Sequence, residues 1–265
     1  MKSPWSHAFA IATAIVSWTW PSAAPAAVVT HLCASTNQFC TLEELVQRGH
    51  LNDPPLPLPG DQHPPSPYLE INGTRFYDWS IDDDSTVAPV DLSLIRVIPL
   101  DDQVLKPGFE LVANGVLQTR GADQIDINFA FLISVGDGGS RIIGSSLELS
   151  AFEFGVKNLA EIVAVDSDVL ATNGMAVLGE QNVLAYLSSP PSLLSDSITY
   201  PAQTQVLVET KIIVAGLKLQ DTVALGSFTQ RFSKLPAPIP EPPSLSILGL
   251  ALLGLWGMMR RRSRP

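Results

Sequence analysis

From Tyr68 to Leu235 the chain is a succession of short β-branched and aromatic runs cut by turn residues, a pattern that an antiparallel sheet protein satisfies and few other folds do. Gln124 to Phe131 alternates polar and apolar side chains, as a strand with one buried face requires. Asn72-Gly73 stands between Leu69-Glu70-Ile71 and Thr74-Arg75-Phe76-Tyr77, and both turn residues tolerate the positive φ of a tight hairpin. Further strands are expected at Leu94–Ile98, Ile142-Ile143, Ile162–Val165, Val183–Leu187, Val206–Val214 and Thr222–Phe232, with turns at Asn114-Gly115 and Asn173-Gly174. A parallel α/β sheet would need helices between these runs, and none is patterned there. The fold class is all-β, an antiparallel β-sandwich or jelly-roll-like domain of about ten strands.

One short helix precedes the strands. Thr41 and Glu44 form a capping box ahead of Leu42, Leu45 and Val46, with Gly49 as the stop. Two turns are too few to persist alone, so this helix must pack on something larger. Seven prolines between Asp53 and Pro67 then make an extended connector. The cysteines, Cys33 and Cys40, lie just before the helix; in an exported chain such a pair suggests a disulfide, worth about 2–3 kcal/mol for so short a loop.

The two ends read as address rather than fold. Residues 1–26 carry Lys2, an apolar run from Ala8 to Trp20, and the small residues Ala24-Pro25-Ala26 before Ala27, the order of a cleaved secretory signal peptide. The apolar run is too short for a permanent anchor. Five of the 16 basic residues lie at the two ends, so the remainder sets 11 basic against 26 acidic side chains. That charge disfavours nucleic acid, which needs clustered Lys and Arg.

At the other end, a proline-rich spacer (236–243) precedes Ser244–Met259, sixteen residues without a charge. As a helix they span about 24 Å, marginal for a hydrocarbon core of about 30 Å. Arg260, Arg261, Arg262 and Arg264 follow and would remain cytoplasmic, leaving the acidic domain outside. A buried core helix would lack the polar face that a globular protein turns to water. The order Pro240-Glu241-Pro242, apolar helix, arginine cluster resembles the sorting signal of bacterial PEP-CTERM proteins. The resemblance implies a transient transmembrane sorting helix recognised by an exosortase-like enzyme after Sec-type export. Pro240, Glu241 and Pro242 would then be substrate residues, and delivery would be to the cell surface or an exopolysaccharide matrix. The chain thus divides into signal (1–26), Cys-pair and proline segment (27–67), sandwich (68–235), spacer (236–243), sorting helix (244–259) and basic tail (260–265).

Chemistry is sparsely signalled. No nucleophile elbow, zinc-protease helix, phosphate loop or EF-hand loop occurs, and all four histidines precede Tyr68. No cofactor or catalytic set is expected. Asp82-Asp83-Asp84 is the densest acidic run, a weak candidate for a hard cation such as Ca²⁺, with Asp101-Asp102, Asp123 with Asp126, and Asp166 with Asp168 as lesser clusters. The leading expectation is a non-enzymatic surface or matrix protein. The alternatives are a carbohydrate- or calcium-binding module and a carboxylate-dependent hydrolase, the last marked by two facing carboxylates in a deep cleft lined by Trp79 or tyrosines.

Overall fold

The computed structural model describes residues 29–31, 38–46, 67–136, 139–155, 161–172, 176–186 and 192–236. Among them fourteen strands and one helix form two antiparallel sheets packed face to face. In chain order the elements are β1 (Val29–His31), β2 (Cys40–Thr41), α1 (Leu42–Val46), β3 (Tyr68–Ile71), β4 (Thr74–Asp83), β5 (Arg96–Leu100), β6 (Gly108–Val112), β7 (Gln118–Arg120), β8 (Gln124–Val135), β9 (Arg141–Phe154), β10 (Ile162–Ala171), β11 (Val177–Tyr186), β12 (Ser195–Gln203), β13 (Gln205–Ala215) and β14 (Thr222–Leu235). Sheet A runs β1-β3-β4-β8-β13-β10-β11; sheet B runs β12-β9-β14-β6-β5-β2, with β7 added to β14.

Alternation sets the layers. Ile125, Ile127, Phe129, Phe131 and Ile133 of β8 are buried, while the residues between them are half-exposed on the outer side. Aromatic rings fill the space between the sheets: Trp79 stacks on Phe131 at 4.5 Å between centroids, and Phe76 meets Phe109 edge-on at 5.9 Å. At Ser167 of β10 and Gln181 of β11 polar side chains enter the interior among the valines and hydrogen-bond to the opposite sheet. Gln230 Nε2 donates to Ser167 Oγ (2.8 Å), and Ser145 Oγ donates to Gln181 Oε1 (2.7 Å).

The sandwich does not begin at Tyr68. β1 pairs with β3, β2 pairs with β5, and α1 buries Leu42 and Leu45 in the common core. A five-residue helix has no stability of its own, so its apolar face is satisfied only by joining the sheets. The capping box forms as its spacing predicts: the Thr41 amide donates to Glu44 Oε2 (2.9 Å) and the Glu44 amide to Thr41 Oγ1 (3.2 Å). Asn72 and Gly73 take φ 53° and 69°, and Asn114 and Gly115 take 49° and 84°, the left-handed pairs that tight turns require. Cys40 is fully buried and is not a free thiol. Cys33, its expected partner, lies outside the described residues, as do Ala24, Ala26, Ala27, Pro240, Glu241, Pro242 and the four terminal arginines. Among the described residues no helix is long and apolar enough to cross a membrane.

Candidate functional site

A β-bulge in β4 prepares the outer face of sheet A. Its register against β8 shifts between Tyr77 and Ser80, with Asp78 held at φ 57°. The extra residue lets Tyr77 and Ser80 both face outward while Trp79 turns fully into the core. Beyond the bulge the outer side chains fall into rows across four central strands. One row is Ser80, Ala130, Glu209, Asp168; the next is Asp82, Asn128, Lys211, Asp166. Between them lies an open trough of about 630 Å³. Small side chains at Ser80 and Ala130 leave the depression, and longer polar ones from β8, β13 and β10 wall it.

The electrostatics are lopsided. Asp82, Asp166, Asp168 and Glu209 line the trough with Lys211 as its cation, and Lys211 Nζ lies 3.0 Å from Asp126 Oδ2. Asp168 stands directly opposite Glu209 on one side and Glu180 on the other. Cross-strand neighbours of like charge repel, so this row lowers stability rather than adding to it. Burial raises the pKa of Asp166; a hydrogen bond from the Asn182 side-chain Nδ2 opposes this and the neighbouring Asp168 charge adds to it.

At the far end of the same face, the Arg75 guanidinium lies 4.3 Å from the centre of the Tyr68 ring and donates to Glu70 Oε2 at 2.9 Å. The Tyr77 hydroxyl accepts from Gln205 Nε2. These aromatic residues are engaged with protein partners, and the trough itself is walled chiefly by hydrogen-bonding groups.

The three consecutive aspartates do not act together. Asp82 belongs to the trough, whereas Asp83 accepts from the Ser85 amide through Oδ1 and from the Val90 amide through Oδ2, both at 3.1 Å, and so organises its own loop. Burial opposes ionisation of Asp83, but a hydrogen bond from the Ser85 side chain and those from the Val90 and Ser85 amides prevail and hold its pKa below the ordinary value. The Asp84 amide donates to the Asp126 carbonyl oxygen at 2.9 Å and continues the strand pairing. Among the described residues no three His, Cys, Asp or Glu side chains are grouped to hold a metal ion. Trp79 does not line a cleft at all.

Comparison with known proteins adds little to this geometry. No family model and no curated protein matches the chain. Among solved structures, similarity is found to the TmCBM61 module in complex with β-1,4-galactotriose, at 10% identity over 59% of this chain and 87% of that one, TM-score 0.27. A CBM4 structure follows at 12% identity, 59% and 86% coverage and TM-score 0.24. The family 11 carbohydrate-binding module of a Clostridium thermocellum cellulase matches at 12%, 62% and 89%, TM-score 0.22. Likenesses this distant leave the function to be argued from the trough.

Proposed function

We propose that this protein is an exported, non-catalytic carbohydrate-binding module, sorted through its C-terminal tail to the cell surface or extracellular matrix, and that the outer face of sheet A is its saccharide site. The observation that carries the reading is the trough itself. It is open at the surface and crosses four strands, about 14 Å at the usual strand spacing. Its walls present the carboxylates of Asp166, Asp168 and Glu209, the amide of Asn128 and the hydroxyl of Ser80. Carboxylates and carboxamides take two hydroxyls at once, which matches the adjacent hydroxyls of a pyranose ring. Four carboxylates against one lysine oppose uronic acid, sulfate and phosphate groups, so the ligand is a neutral glycan.

The calcium half of the binding-module reading finds no support in the geometry, because the acidic run at 82–84 is divided between trough and loop. The hydrolase reading has one observation in its favour, the raised pKa of Asp166 beside Asp168. The exposed setting argues against it, since Trp79 lies in the core and the carboxylates stand on an open sheet. The sorting reading rests on the sequence of the tail, and mass spectrometry of the mature protein tests it: an intact arginine-rich terminus in cells with and without an exosortase-like enzyme would leave a plain tail anchor.

The binding test is affinity electrophoresis of the full-length protein, in mild detergent, through gels containing mixed-linkage β-glucan, β-1,4-galactan or polygalacturonate. Retardation by a neutral polymer without release of reducing ends is expected. Migration unaffected by all three would sink the proposal, and release of reducing ends would favour the hydrolase.

A further inference from the structure

The geometry points to a second saccharide site, on the outer face of sheet B, that would make the domain bivalent and able to join two polysaccharide chains. This inference rests on the saccharide reading of sheet A. A second open trough, about 340 Å³, lies across β12, β9 and β14. Its rows follow from register: Ser197 opposite Ser146 and Ser146 opposite Arg231; Ser195 opposite Glu148 and Glu148 opposite Thr229. Four of these six side chains are hydroxyls. Among the described residues the Oγ atoms of Ser146, Ser195 and Ser197 have no protein hydrogen-bond partner, whereas Ser145, the next residue on β9, turns inward and donates to Gln181.

The charged residues here are Glu148, Asp196 and Arg231. Arg231 Nη1 lies 2.8 Å from Asp102 and donates to the Lys106 carbonyl oxygen at 3.2 Å, so its side chain forms a wall rather than a free cation. The hydrogen bond that Arg231 donates to the Asp102 carboxylate, together with its charge, holds the Asp102 pKa below its ordinary value despite some burial. Glu148 is the trough's own carboxylate, while Asp196 turns toward β11 and accepts from the Asn182 amide at 3.0 Å. A hydroxyl-lined trough with two carboxylates and one arginine in its walls again fits a neutral glycan, with less bias against acidic ones than sheet A has.

The two troughs occupy opposite faces of the sandwich, with both sheets and the interior between them. Packed sheets stand about 10 Å apart, and side chains add to the separation, so one chain cannot thread both sites without wrapping an edge. Two sites on opposite faces convert a binder into a cross-linker of separate glycan chains.

The test uses the full-length protein in mild detergent with mixed-linkage β-glucan and β-1,4-galactan. Ala130→Trp fills the sheet A trough and Ser146→Trp the sheet B trough; Ser197→Trp, on an exposed edge strand, replaces Ser146→Trp if that variant melts early. The wild type is expected to make a glycan solution turbid and to be retarded in a glycan gel. Each single variant should lose turbidity while remaining retarded, and only the double variant should lose both. If Ala130→Trp alone abolished retardation, or if both sheet B variants cross-linked like the wild type, the second site would be refuted and the first would stand. If the wild type were not retarded by either polymer, the saccharide reading itself would fall.

Discussion

Replacing Asp168 with Asn should make the protein more stable and a poorer binder. Asp168 is exposed between Glu209 and Glu180, directly opposite each across a strand gap. Opposed like charges in such pairs cost about 0.2–1 kcal/mol each. Removing the central charge relieves both, a gain of about 0.4–2 kcal/mol. At about 2–4 °C per kcal/mol for a domain of this size, Tm should rise by about 1–8 °C. The amide keeps the side chain's shape, so packing does not change. Thermal melts followed by circular dichroism at low salt and again at 1 M NaCl would measure the difference from wild type. It should shrink at high salt, because a Debye length of about 3 Å screens exposed charges one strand apart. Retardation in a neutral-glycan gel should weaken in the same variant. A Tm that fell, or a gain indifferent to salt, would refute the claim that the row is held in repulsion, and unchanged retardation would remove Asp168 from the site.

Three further perturbations probe the frame. Thr41→Ala removes the acceptor for the Glu44 amide and should cost about 0.5–2 kcal/mol in a denaturant titration; no change would mean that burial of Leu42 and Leu45 holds α1 without its cap. Gly108→Ala would place its Cβ 2.1 Å from the Gln230 carbonyl oxygen and 2.7 Å from Arg231 Cα, so β6 and β14 must part and soluble yield or Tm should drop sharply. Asp166→Asn tests the pH dependence. Because the folded carboxyl has its pKa raised above 3.8, the native state binds more protons than the unfolded chain in the pH window just above that value, and stability falls as pH rises through it. The Asn variant should lose that fall, gaining Tm relative to wild type above the window and not below it.

How legible this was in the sequence depended on how far apart the cooperating residues lie. Strands with strict alternation, such as Gln124–Val135 and Gln205–Ala215, announce themselves, as do Asn72-Gly73 and the Thr41–Glu44 box, whose partners are at most a few residues apart. Gly108–Val112 was hidden because it opens with a glycine needed for close strand approach. Ser195–Gln203 was hidden because an edge strand with exposed serines and Pro201 has no apolar alternation to detect. The acidic run at 82–84 stood out as the densest, yet the loop satisfies Asp83 and sequence adjacency in a strand sends neighbours to opposite faces. The quieter pair Asp166 and Asp168, two apart on one strand, is the one whose members share a face. Its companions Ser80, Asn128 and Glu209 come from strands that only the order β4-β8-β13-β10 brings side by side.

The central claim, that the outer face of sheet A holds a neutral saccharide, is tested most directly by residue-resolved amide chemical shifts as a mixed-linkage or galactan oligosaccharide is titrated into the isotope-labelled protein. The amides of Asn128, Asp168, Glu209 and Lys211 should shift saturably, and Ala130→Trp should abolish those shifts without unfolding the domain. Saturable binding that left these four amides unmoved would contradict it.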